Sequence, residues 1–166
     1  MTDHKPPLLI SACLLGQPVR YDGQSKSQNA ACLTQLASHY QLLPVCPECA
    51  GGLPVPRPAA EIIHGDGRQV LRGQARVVTA SGEDVSQPFR AGAEHTLQLA
   101  KQYGCQLALL KANSPSCGNH DIYDGSFSQQ LRHGQGVTAA LLQQHGLQVF
   151  NENEIDQLLA LVTDMH

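Results

Sequence analysis

The chain has 166 residues, 42% of them apolar and 15% charged, and a net charge of −3. That composition suits a globular fold with a real core and argues against a disordered chain. It also argues against a broad basic surface for gripping a long nucleic acid, while leaving room for a local patch that holds a small anion.

Leu8–Leu14 reads as a first strand ending near Cys13, and residues 16–23 as a loop. A helix capped by Ser25 or Ser27 is expected to run to about Tyr40, with Cys32, Leu33, Leu36, Ala37 and Tyr40 on its apolar face. Gln41–Cys46 is the second strand and leads into Cys46-Pro-Glu-Cys49. Residues 50–58 hold three prolines and two glycines, which leaves no regular element there. Residues 68–79 alternate loosely between turn formers and predict a small antiparallel excursion. Ser86 is placed as an N-cap with Pro88 in the first turn. The helix it opens runs to about Tyr103, buries Phe89, Ala93, Leu97 and Ala100, and stops at Gly104.

Leu107–Leu110 is a short apolar run of the kind that forms a strand covered on both faces. It passes through Lys111 into Ala112-Asn-Ser-Pro-Ser-Cys-Gly118, where Pro115 restrains the backbone between two hydroxyls and Gly118 allows a close approach beside a thiol. Ile122–Phe127 follows. Val137–His145 is a short helix stopped by Gly146, and Leu147–Phe150 is the last strand. A final helix, capped by Asn151 or Asn153, buries Ile155, Leu158, Leu159 and Val162. Strands alternating with helices predict a mostly parallel sheet with helices on both faces. With no repeat and no linker, residues 1–166 read as one domain. No apolar run is long enough to span a membrane and no signal peptide is recognisable, so a cytoplasmic protein is expected, with a monomer as the default state.

Six cysteines stand at positions 13, 32, 46, 49, 105 and 117. Stable disulfides are disfavoured in the cytoplasm, so metal or catalytic use gains weight. Cys32 and Cys105 are most simply core residues. Cys13, Cys46 and Cys117 are different, because each lies just past a strand, and ligands of open α/β sheets bind at the carboxyl ends of the strands. Soft thiolates select zinc, copper(I) or an iron–sulfur cluster. Three protein ligands would leave a coordination position open, as catalytic metal sites do. Zinc and a 4Fe-4S cluster both fit that count.

The Cys46-Pro-Glu-Cys49 pair also admits a redox dithiol, but such a motif normally opens a helix, and the Gly-Gly-Leu-Pro-Val-Pro that follows predicts none. Cys49 is therefore read as a spare thiol beside the site. Glu48 and Ser114 lie close to the thiols in sequence. A carboxylate there can orient or deprotonate water, and a hydroxyl can donate to a leaving group; the competing readings are an exposed loop carboxylate and a turn hydroxyl. Asp22 and Arg57 are candidate substrate contacts or a structural ion pair. Lys111 meets an anion or is solvated, and the eight histidines show no metal spacing.

Ser11-Ala-Cys-Leu-Leu-Gly16 with Val19-Arg-Tyr-Asp-Gly23, Cys46-Pro-Glu with Gly51-Gly-Leu-Pro-Val-Pro-Arg57, Leu110-Lys-Ala-Asn-Ser-Pro-Ser-Cys-Gly118, and Tyr123-Asp-Gly-Ser-Phe127 together resemble the thiouracil desulfurase family over nearly the whole chain. The resemblance implies a Rossmann-like three-layer α/β fold with a small antiparallel excursion. It implies a 4Fe-4S cluster held by Cys13, Cys46 and Cys117 with one iron open, and Glu48 and Ser114 as catalytic residues. The implied reaction is a non-redox desulfidation of a small thiolated base such as 2-thiouracil, giving the oxo base and sulfide. A non-catalytic metal or cluster carrier and a zinc-dependent hydrolase are the alternatives that use the same thiolates.

Overall fold

The computed structural model describes residues 5–15, 30–55 and 57–163. The most apolar segments pair first: β1 (Pro7–Ser11) lies between β2 (Gln41–Val45) and β5 (Leu107–Leu110), and β5 pairs with β8 (Gln148–Asn151), all in parallel. Sheet order is therefore β2-β1-β5-β8. Successive residues of a strand point to opposite faces, and both faces of this sheet are covered. Leu8, Ile10 and Leu109 pack with Leu36 of α1 (Ala30–His39), with Tyr40 directly after it, and with Ile155 and Leu158 of α6 (Ile155–Thr163). Leu9, Ala108 and Leu110 pack on the other side with Leu97 of α4 (Ser86–Tyr103) and with Ala139 and Leu142 of α5 (Val137–Gln144). The result is the expected three-layer α/β arrangement.

Two small antiparallel pairs flank this core. β3 (Ala60–Ile63) pairs with β4 (Arg76–Thr79), and β6 (Asp121–Tyr123) with β7 (Leu131–His133). Ile62, Val77, Phe89, Ile122 and Val137 form a third apolar cluster beneath them. Among the described residues, no helix is long and apolar enough to cross a membrane.

Several sequence expectations need correction. The excursion exists, but its first strand is Ala60–Ile63, and part of the stretch read as alternating forms the helix α3 (Gly67–Leu71). Asp66 explains the difference: its side chain accepts from Arg68 N, and Gln69 reaches back to Asp66 N, so a capping box nucleates a helix there. Ser86 is the first helical residue, with Val85 at the N-cap; its hydroxyl instead accepts from Val77 N at 2.9 Å, tying α4 to β4. The last helix starts at Ile155, while the Asn151 side chain closes the preceding turn by accepting from Asn153 N. Ala37 is exposed, and Cys32 is only half-buried. The β6–β7 pair was not anticipated. Cys105 is buried in the core, and Gly104 ends α4 in the left-handed region at φ 69°, both as expected. The Ser25 and Ser27 caps, Asp22 and the side chain of Val162 fall outside the described residues.

Candidate functional site

β1 marks the place where the sheet changes direction: the chain leaves it to form β2 on one side and later adds β5 on the other. Such a switch point opens a crevice beyond the carboxyl ends of the strands. A cavity of about 370 Å³ lies there, and Cys13, Cys46 and Cys117 all line it. Cys13 sits in the 3-10 turn Ala12–Leu15 directly after β1, Cys46 immediately after β2, and Cys117 in the loop after β5. None of the six cysteines is joined in a disulfide.

Each thiol is held by a local device. Cys46 is the N-cap of a one-turn helix, α2 (Pro47–Ala50). The Cys-x-x-Cys segment thus does open a helical turn, contrary to the sequence expectation; proline at the first helical position favours it, and Gly51-Gly52 end it after four residues. The turn rests directly on the α4 backbone. A Cβ at Gly92 would come within 1.9 Å of the Pro47 carbonyl oxygen, and one at Gly51 within 1.9 Å of the Pro88 carbonyl oxygen. The Cys117 loop is closed by Ser114, whose Oγ accepts from Cys117 N at 2.7 Å and from Ser116 N at 3.2 Å. A Cβ at Gly118 would approach the Asp121 carbonyl oxygen to 2.5 Å, which accounts for glycine beside the thiol. Ser11 joins two strand ends: its Oγ accepts from Lys111 N at 2.9 Å and donates toward Cys117 Sγ at 3.9 Å.

The electrostatics show that these groups sense one another. Burial, followed by nearby Glu48, Cys46 and Cys13, pushes the Cys117 thiol up to about 12, with the Ser11 hydroxyl opposing. Cys46 is likewise pushed up to about 12, chiefly by burial, with Cys49 and Glu48 beside it. Thiolates gathered beside a carboxylate in a sheltered cavity require compensating positive charge, which a metal centre supplies. Among the described residues no three His, Cys, Asp or Glu side chains are grouped to hold a single metal ion.

Glu48 and Ser114 both line the cavity. Glu48 is not a solvated loop carboxylate: Arg57 Nε and Nη2 both donate to its Oε2, each at 2.8 Å. Arg57 is therefore the ion-pair partner of Glu48, a pairing the sequence did not suggest. Burial works against the Arg57 charge, but Glu48 outweighs it and holds the guanidinium above its usual value. Arg57 Nη1 also donates to the Pro54 carbonyl at 3.0 Å and toward Cys49 Sγ at 3.9 Å, so Cys49 stands beside the site. Lys111 is neither solvated nor without a counter-charge, because its Nζ meets Glu152 at 2.9 Å. Several cavity residues escaped the sequence reading, Ser11, Glu61 and Gln129 among them. Ser11 had a legible signal, a polar residue closing an apolar strand before a cysteine; Glu61 had none.

A family model described as 2-thiouracil desulfurase matches residues 8–154 of this chain. The chain is 45% identical over 152 residues to the uncharacterized protein YbbK of Bacillus subtilis (strain 168), a match covering 92% of this chain and 99% of that protein. It is also similar to a solved structure, the 4Fe-4S-dependent thiouracil desulfidase TudS, with a TM-score of 0.85, 46% sequence identity, and coverage of 98% of this chain and 100% of that one.

Proposed function

This chain belongs to the 2-thiouracil desulfurase family, and from that membership we propose that it is a 4Fe-4S-dependent desulfidase converting a 2-thiouracil-type base and water into the oxo base and hydrogen sulfide. Carbon and nitrogen keep their oxidation states, so no electron donor is consumed. The observation that carries this reading is the convergence of Cys13, Cys46 and Cys117 from three strand ends on one cavity with Glu48 and Ser114 in its wall.

The donor set fits a cluster. Three soft thiols line one cavity, and soft thiolates suit an iron–sulfur centre. Cys13, Cys46 and Cys117 would hold it, and when bound it supplies a soft Lewis-acidic position for a thiocarbonyl sulfur. The protein's own groups do the rest. Both Arg57 bonds fall on Glu48 Oε2, which fixes the carboxylate and leaves Oε1 to take a proton from water attacking the ring carbon. Ser114 Oγ accepts two backbone N–H groups, so its own proton remains available for the departing sulfur or a ring nitrogen.

Anaerobic purification followed by iron, zinc and acid-labile sulfide analysis, together with chromatography for uracil formed from 2-thiouracil, tests the proposal. Iron with labile sulfide and stoichiometric uracil is the expected result. Zinc without labile sulfide removes the cluster, and a loaded cluster with no uracil formed leaves a non-catalytic carrier.

A further inference from the structure

Glu61 is a carboxylate on β3, only 8% exposed, yet it borders the cavity that holds the three thiols. One of its oxygens is fully used. Oε1 accepts from Gly125 N at 3.0 Å and from Phe127 N at 3.1 Å. Those two residues belong to a loop that would not hold its shape unaided. Gly125 has φ 93°, Phe127 φ 58° and Gln129 φ 62°. Left-handed backbone at non-glycine residues is strained and persists only where its surroundings enforce it. Tyr123, Phe127 and Gln129 of this loop line the same cavity. Oε1 therefore fixes an aromatic wall of the site.

The other oxygen takes no hydrogen bond among the described residues. Glu61 lines the cavity, and with Oε1 taken up by two backbone donors, Oε2 is the acceptor it has left to offer there. Because Oε1 is tied to two backbone donors, the carboxylate cannot turn away. It presents a fixed acceptor beside aromatic side chains that suit the face of a flat ring.

Resting on the desulfidase reading above, we infer that Glu61 is a specificity residue whose Oε2 accepts a ring N–H of the thiolated base while its Oε1 shapes the aromatic wall. The class of substrate this selects is a cyclic thioamide with a free N–H beside the C=S group. A ring alkylated at that nitrogen leaves Oε2 unpaired and adds bulk against it, and sites built to pair a donor discriminate strongly against analogues lacking it.

Glu61→Gln separates this role from a merely structural one. The glutamine oxygen can still accept from Gly125 and Phe127, which leaves its NH₂ group, a donor, facing the cavity. The cluster-loaded variant should keep wild-type iron content and a kcat within about twofold, while KM for 2-thiouracil rises about 10- to 100-fold, as for a lost hydrogen bond to a charged acceptor. Calorimetric Kd for uracil, which binds without turnover, should weaken in parallel. Wild-type KM and uracil affinity in Glu61→Gln would reduce Glu61 to a loop clamp and overturn the inference. A second measurement stands even if that variant loads poorly: the wild-type enzyme is assayed with the N1-methyl and N3-methyl derivatives of 2-thiouracil. At least one should show a KM raised tenfold or more; equal KM values for all three would show that no ring N–H is read. Wild-type protein that makes no uracil from 2-thiouracil would instead strike the desulfidase reading itself.

Discussion

Alanine at position 92 tests how the Cys46 turn is held in place. Gly92 lies inside the 18-residue helix α4, where glycine is a poor helix former, so helix propensity alone says that Gly92→Ala should stabilise the protein by about 1 kcal/mol. Packing says the opposite. The new methyl would sit 1.9 Å from the Pro47 carbonyl oxygen and 2.8 Å from its carbon. Both are backbone atoms, so no rotamer change relieves the clash, and α4 must move off the turn by about 1 Å, at a cost near the top of the ~1–3 kcal/mol range for overpacked sites. The net effect is a loss of about 1–2 kcal/mol, which lowers the Tm of a chain this size by roughly 2–8 °C. Pro47 stands between Cys46 and Glu48, so iron content and turnover at a temperature well below the melt should fall as well. Thermal melts and iron per chain measure both effects. A Tm equal to or above that of the wild type would mean that propensity wins and that this backbone contact does not position the site.

Glu48→Gln should load its cluster normally and lose about 10²–10⁴-fold in turnover, the usual worth of a general base; iron analysis and uracil formation read the two parts, and full activity would remove Glu48 from the mechanism. Cys49→Ala should leave iron and labile sulfide unchanged, whereas a cluster lost with that thiol would make Cys49 a ligand. Asp66 gives a pH dependence away from the thiols. Burial works to raise its carboxyl, but Gln135 N–H and Arg68 outweigh it and hold the group below the usual aspartate range. A lowered folded value means that its stabilisation is complete above the unfolded value of about 3.9 and fades as pH falls through the folded one. The gap in urea stability between wild type and Asp66→Asn, about 1–3 kcal/mol for charge-assisted hydrogen bonds, should therefore hold from pH 7 to 5 and shrink below about pH 4. A gap that stays constant to pH 3 would show that the Asp66 charge contributes nothing.

The central sheet was legible because its strands are short apolar runs ended by turn formers, a pattern that needs no partner to be recognised. The position of the three thiols followed from that, since strand ends in a parallel sheet share one edge. The rest depended on contacts that leave no local mark. Arg57 reaches Glu48 from an irregular proline-rich segment, where no periodicity says which way a side chain faces. Glu61 meets Gly125 and Phe127 across more than sixty positions, so nothing near it in sequence betrays its role. α3 was missed because five residues are too few to display a helical period, although the Asp66–Gln69 capping box was present to be read. Ser114 was left between a turn hydroxyl and a proton donor. The geometry shows the first, and its unspent proton leaves the second open to the proposed chemistry.

The Cys117 loop is tied down by side chains drawn from distant parts of the chain. Ser11 holds Lys111 N, Glu152 holds Ala112 N at 2.7 Å, Ser114 holds two N–H groups, and Asn119 is buried with its amide donating to the Val149 carbonyl and to Glu154 while accepting from Asn151. Every one of these partners is protein. Together these bonds offset part of the entropy lost in ordering the loop, so parts of the chain far apart in sequence share in fixing the backbone that carries Cys117. A substitution at Glu152 or Asn119, neither of which lines the cavity, would therefore be felt at the thiol.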